Sequence, residues 1–242
     1  MTTLIPRNGA GDANRDNNNV VDLFSKKTLS TLKNERIIRL SPEHDGMCML
    51  YSNSTCEPEK LYAMKILCWG LRDNGEVVGM VPWLNQVMPC EELNHQQHGQ
   101  YEGYYDMATE CIFSQAPAHK VLELETAADY FEFEQAGNTD IIQEIPDTIG
   151  THAMLNAEDS DSIVLTEILS WRLLNNGTIE GMIINEDLVS TTPVLPGDPC
   201  LYPTSDNPHF RYYFQHHIAN QIKAEDPDAL AAISLLFEEY EG

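Results

Sequence analysis

With 242 residues and 42% apolar content, the chain is long enough to bury a sizeable core without disulfides or metals. Its net charge of −24 opposes non-specific binding to nucleic acid or to anionic lipid. No apolar run reaches the length of a membrane span, and the N-terminal M-T-T-L-I-P-R-N-G-A-G lacks the hydrophobic centre of a signal peptide, so the cytoplasm is the expected compartment.

The charge is uneven. Residues 1–36 carry six Lys/Arg against four Asp/Glu, residues 37–140 five against seventeen, and residues 141–242 three against seventeen. Such a surface either keeps the chain soluble or presents an acidic face to a basic partner. Six cysteines, Cys48, Cys56, Cys68, Cys90, Cys111 and Cys200, form no C-x-x-C pair and read as reduced thiols, mostly buried.

In chain order, residues 1–36 read as an N-terminal arm. Its first 22 residues are rich in Asn, Asp and Gly and are expected to be disordered or loosely attached. Asp12, Asn14 and Asp16 resemble the opening of a calcium loop, but Asn17 stands where that loop needs Gly and Leu23 where it needs Glu. Phe24, Leu29 and Leu32 among lysines suit a short amphipathic helix.

From Ile37 the chain repeats itself. Ile37, Ile38, Pro42 and Gly46 recur as Ile141, Ile142, Pro146 and Gly150, each set reading as a strand followed by a Pro-to-Gly turn. M-C-M-L and H-A-M-L follow. At one fixed spacing Ile66, Leu67, Trp69, Leu71, Asn74, Gly75, Gly79 and Met80 then match Ile168, Leu169, Trp171, Leu173, Asn176, Gly177, Gly181 and Met182. Repetition of this kind marks an internal duplication.

Asn-Gly between apolar runs predicts a hairpin with a two-residue type I′ turn, which sets Trp69 opposite Met80 and Trp171 opposite Met182. The rival reading of 61–71 and of 163–173 is helical. The turn glycines are expected to have positive φ, so Gly75→Val and Gly177→Val should be equally harmful and Gly99→Val, in a polar loop, much milder.

Beyond the hairpin, Val87-Met88-Pro89 resembles Val194-Leu195-Pro196, and Tyr104-Tyr105 resembles Tyr212-Tyr213. The tail of each unit reads as helical. Phe210, Phe214, Ile218 and Ile222 form one stripe and Leu230, Ile233, Phe237 and Tyr240 a second, echoed earlier by Val121, Leu124, Ala128 and Phe131. The expected fold class is α+β: two tandem, pseudo-two-fold-related repeats, 37–137 and 141–242, packed as one globular unit, each a hairpin-rich half followed by about two helices.

Candidate chemistry is sparse. In His44-Asp45 the carboxylate could orient an imidazole base, with Thr148-Ile149 in its place in the second repeat. Cys90, Glu91, Glu92, His95 and His98 offer zinc-ligand types, but H-x-x-H alone is weak and the stretch reads as a polar loop. His216-His217 diverge on a helix, and the acidic run 158–162 lacks a calcium loop's glycine. Cys90, His95 and His152 join His44 and Asp45 as the residues to test for catalysis. Trp83, Tyr104, Tyr105, Tyr212 and Tyr213 could line a ligand groove or simply pack the core.

No P-loop, dinucleotide, nucleophile-elbow or zincin motif is present. The sequence implies no metal and no cofactor. The expected function is a non-enzymatic binding or regulatory module for a protein or small-molecule ligand, with no nucleic-acid or membrane partner. The alternative is an enzyme with its site in the cleft between the repeats.

Overall fold

Among the described residues the first half of the body folds as nine strands in two sheets, and the buried pair Ile66-Leu67 is one place where the chain passes between them. The computed structural model describes residues 35–52, 61–95, 99–128, 140–157, 163–185 and 195–215. The chain divides into two compact units, Met1–Glu35 and Arg36–Gly242, and all the described residues but Glu35 belong to the second. The arm expected over 1–36 lies almost wholly outside the described residues.

In the first half, β1 (Ile37–Pro42), β4 (Cys68–Arg72), β5 (Val77–Trp83) and β6 (Gln86–Pro89) form one antiparallel sheet in the order β1-β4-β5-β6. A second sheet runs β3-β2-β8-β7, from β3 (Leu61–Lys65), β2 (Met47–Ser52), β8 (Gly99–Asp106) and β7 (Asn94–His95). Strand β9 (Cys111–Phe113) pairs with the far end of β8.

The second half repeats this order. Strands β10 (Ile141–Pro146), β13 (Ser170–Leu174), β14 (Ile179–Ile184) and β15 (Leu201–Pro203) form a sheet in the order β10-β13-β14-β15. Strands β12 (Ile163–Glu167), β11 (His152–Asn156) and β16 (Phe210–Phe214) form another in the order β12-β11-β16. The bulge between Ile37 and Arg39 has its counterpart between Ile141 and Gln143.

The four small sheets form a propeller-like ring and the fold is mostly β, which corrects the α+β expectation. The described residues contain one α-helix, α1 (Ala118–Ala128). Residues 210–214, expected to open a helix, are strand β16, paired with β11. The reason is a degeneracy of period: residues four apart share a face of a helix and also a face of a strand. Phe-Arg-Tyr-Tyr-Phe is built of strand-favouring aromatics, and β11 supplies backbone partners. The remainder of the expected C-terminal helices, and Phe131 of the earlier stripe, lie outside the described residues.

The Leu61–Leu71 stretch is two strands, β3 and β4, and no helix. Between them Ile66 N–H donates to Met47 C=O at 3.1 Å and Leu67 N–H to Met80 C=O at 2.8 Å, so one residue is tied to each sheet. Ile168 and Leu169 make the same pair of bonds to Thr151 and Met182. An apolar pair with no free backbone donor can sit inside the protein, which is why Ile-Leu recurs.

The hairpin turn differs from expectation by one residue. Leu71 pairs with Val77, Trp69 with Gly79 and Cys68 with Met80; the second copy sets Trp171 against Gly181. Arg72 N–H bonds Glu76 C=O, and Gly75 N–H bonds Arg72 C=O at 3.0 Å. The loop is therefore three residues, a tight turn closed by Gly75 at φ 89°, and Asn74 is not among the positive-φ residues. The Asn74 side chain instead accepts from Glu76 N–H at 2.8 Å, and Asn176 does the same for Thr178 at 2.9 Å.

The core is shared between the halves. One cluster packs Trp69, Met64, Val81 and Tyr104 against Met154, Ile163 and Phe214; the other packs Leu40, Leu67, Val78 and Met80 against Trp171, Leu173 and Ile183. Gln143 seals the seam by pairing its side-chain amide with both Leu40 N–H and Leu40 C=O, as a neighbouring strand would.

Candidate functional site

Each half is built round a tryptophan that two side chains hold in place. The Trp69 ring lies 5.0 Å from Tyr104, and the Trp171 ring 4.9 Å from Tyr213. The Trp69 indole N–H donates to Glu43; the Trp171 indole N–H donates to Asp147 at 2.8 Å. Each carboxylate also closes its own turn. Glu43 accepts from the Asp45 and Met47 N–H groups, and Asp147 from those of Gly150 and Thr151.

Each tyrosine hydroxyl accepts from a glycine N–H in the tryptophan's hairpin, Gly79 to Tyr104 at 2.9 Å and Gly181 to Tyr213 at 3.0 Å. A Cβ on Gly79 would meet the Tyr104 ring at 2.8 Å, and one on Gly181 the Tyr213 ring at 2.9 Å. Both tyrosines then reach onward, Tyr104 donating to Glu91 and Tyr213 sharing a hydrogen bond with Thr204, at 2.8 Å each.

This geometry changes the alignment of the copies. Tyr104 corresponds to Tyr213, not Tyr212. Pro89, opposite Met80, corresponds to Pro203, opposite Met182, and not to Pro196. Sequence similarity failed here because the β14–β15 connection is much longer than the two-residue turn between β5 and β6.

Of the aromatics expected to line a ligand groove, Trp83, Tyr104 and Tyr213 are buried in the shared core, and Tyr105 and Tyr212 are half-buried. Cys90 is fully buried beneath Gly79, and burial first, then the nearby Glu91 carboxylate, pushes its thiol pKa well above the ordinary value. A thiol so placed stays protonated and is a poor nucleophile. Burial also raises the Glu91 carboxyl, against the lowering effect of the Tyr104 hydrogen bond.

His152 sits on β11 between Glu167 and Phe214. His95 lies in β7, opposite Gly99. His98, the acidic run 158–162 and His216-His217 lie outside the described residues.

His44 is exposed, and the adjacent Asp45 turns to helix α1. Its Oδ2 lies 3.0 Å from His119 Nε2 and 3.2 Å from Lys120 Nζ. These two partners, His119 first, hold the Asp45 carboxyl below the ordinary range. Lys120 is 5% exposed and also faces Glu123, which accepts from Ser41. The group fastens α1 to the first turn.

No bond or ion pair among the described residues joins Asp45, Cys90 and His152 to one another. Among the described residues no three His, Cys, Asp or Glu side chains are placed to hold a metal. No helix among them is long and apolar enough to cross a membrane.

One surface feature stands out that sequence reading missed. On the β8–β9 hairpin Met107 is 58% exposed, Ile112 56% and Phe113 38%. The turn is held stiffly: Asp106 accepts from the Ala108 and Thr109 N–H groups and from the Thr109 hydroxyl. The signal was there in Met107 and C-I-F flanking a polar turn, but among the described residues β9 has no counterpart in the second repeat, and the duplication drew attention away from it. Comparison with protein-family models, with curated protein sequences and with solved structures finds no match for this chain.

Proposed function

We propose that the chain is a non-enzymatic binding module for a basic polypeptide, engaged through the β8–β9 hairpin. The observation that carries this reading is the concentration of exposed Met107, Ile112 and Phe113 on one stiffened turn of an otherwise acidic molecule. Clustered exposed apolar side chains favour association, and a net charge of −24 selects against acidic partners and speeds encounter with basic ones. Glu43 and Asp147 are committed to holding the tryptophans.

The enzyme alternative has less to draw on. Cys90 is a buried thiol, Asp45 is spent on His119 and Lys120, and His119 Nε2 is engaged by Asp45. The five described cysteines are free, which favours a reducing compartment and hence the cytoplasm.

Selection from a random peptide display library against the full chain tests the reading. Enriched sequences should be rich in Lys or Arg, and their binding should weaken with added salt and on charge insertion at Ile112. Enrichment of acidic sequences, or of none, would overturn it.

A further inference from the structure

Among the described residues the hairpin also has an open edge. This inference rests on the reading above and specifies how such a partner is held. Edge strands expose unpaired N–H and C=O groups, and proteins blunt them with proline or charge. The other described edge strands longer than two residues follow that rule: β1 ends in Pro42, β6 in Pro89, β10 in Pro146 and β15 in Pro203, while β3 carries Lys65, β12 Glu167 and β16 Arg211. Strand β9, Cys111-Ile112-Phe113, carries neither, and among the described residues it pairs only with β8.

We propose that the outer edge of β9 receives an extended, lysine- or arginine-bearing segment of a partner polypeptide as an added strand. Backbone hydrogen bonds would supply the register, and Ile112 and Phe113 the contact surface. Charge decides the occupant. Residues 99–117 hold Glu102, Asp106 and Glu110 and no Lys or Arg. A second copy would bring the same three carboxylates against them, and each copy carries −24. The stiff Asp106–Thr109 turn holds β9 in place before binding, so little ordering remains to be done there.

The test uses the full chain and three peptides: alternating Val and Lys, the same peptide N-methylated on alternate backbone nitrogens, and alternating Val and Glu. N-methylation keeps every side chain and charge and removes the N–H groups that pairing needs. The Val–Lys peptide should bind and slow amide exchange at 111–113. The methylated peptide should bind at least tenfold more weakly, and the Val–Glu peptide should not bind. Ile112→Lys with Phe113→Lys should weaken Val–Lys binding at least tenfold with an unchanged melting temperature, since both side chains are exposed. Equal binding of the methylated peptide would overturn strand addition and leave the basic-partner reading standing. Equal binding of Val–Glu, or no binding of Val–Lys, would overturn both. Concentration-dependent dimers that protect 111–113 would give the edge to a second copy and overturn the assignment of the partner.

Discussion

The two halves share a frame and differ at its surface. Both hold a tryptophan between a turn carboxylate and a tyrosine that bonds a hairpin glycine. Only the first, among the described residues, adds the β9 edge and helix α1 with its Asp45 clamp. In a duplicated fold the repeated interactions report what the architecture needs, and the unrepeated ones are where a function can be added without disturbing it. The halves also differ in how deeply the frame is buried: Glu43 is 4% exposed, whereas Asp147 is half-buried.

The sharpest way to break the comparison is to remove the two carboxylates. Glu43→Ala leaves an indole N–H and two backbone N–H groups without their acceptor, at about 1–3 kcal/mol for each that stays buried. The loss should exceed about 3 kcal/mol in urea denaturation. Asp147→Ala removes the same three bonds where water can reach, so its loss should be clearly smaller. Equal losses would mean that burial does not distinguish the halves.

The turn glycines rank next, and here the expectations from sequence are reversed. Gly99 has φ 130°, and a Cβ there would lie 2.5 Å from Ser52 C=O and 2.9 Å from the Tyr51 ring. Gly99→Val should therefore be the worst of the three valine variants, at roughly 3 kcal/mol or more from strain and overpacking together. Gly177→Val follows, because its Cβ meets the Arg36 side chain at 2.7 Å. Gly75→Val meets nothing within 4 Å and costs the backbone strain alone, about 1–3 kcal/mol. Melting temperatures in the order Gly75, Gly177, Gly99, from highest to lowest, would bear this out; a mild Gly99 variant would contradict it.

Gly79→Ala and Gly181→Ala should each cost about 1–3 kcal/mol by pushing on a tyrosine ring. Their similar surroundings call for similar values, and a large difference would show that one tyrosine can move aside.

The smallest effect belongs to the Asp45 clamp, which the second half lacks. The folded carboxyl titrates below its ordinary value of 3.8, so its stabilisation is fully present above that pH and is lost as pH falls through the folded value. Asp45 is half exposed, so solvent screening reduces the contribution to roughly a few tenths of a kcal/mol. Asp45→Asn should lower stability by that amount at neutral pH, and the gap to the parent chain should close in acid. A gap that persists unchanged in acid would mean that the ion pairs contribute nothing.

Much of the frame could be read before the fold was known. The matched Ile-Leu, Trp, Asn-Gly and Gly-Met positions each mark a place where backbone or ring geometry leaves little choice. The site was far less legible. Glu43 and Asp147 follow the repeated prolines, yet as Glu and Asp they do not register as an identity, although each accepts from one indole N–H and two backbone N–H groups. His119 lies 74 positions from Asp45, a separation that only folding can close.

The sequence by itself determined the duplication, the strand-turn-strand character of its central stretch and the positive φ of Gly75 and Gly177, because these depend on local turn chemistry and on repetition. Only the tertiary structure decided that Phe210–Phe214 is a strand, that Tyr104 answers to Tyr213, and that β9 is left open among the described residues. A five-residue aromatic run fits either period, and the strand β11 waiting beside it settles the matter; alignment across a lengthened loop has no local signal; and an edge is defined by what does not pair with it.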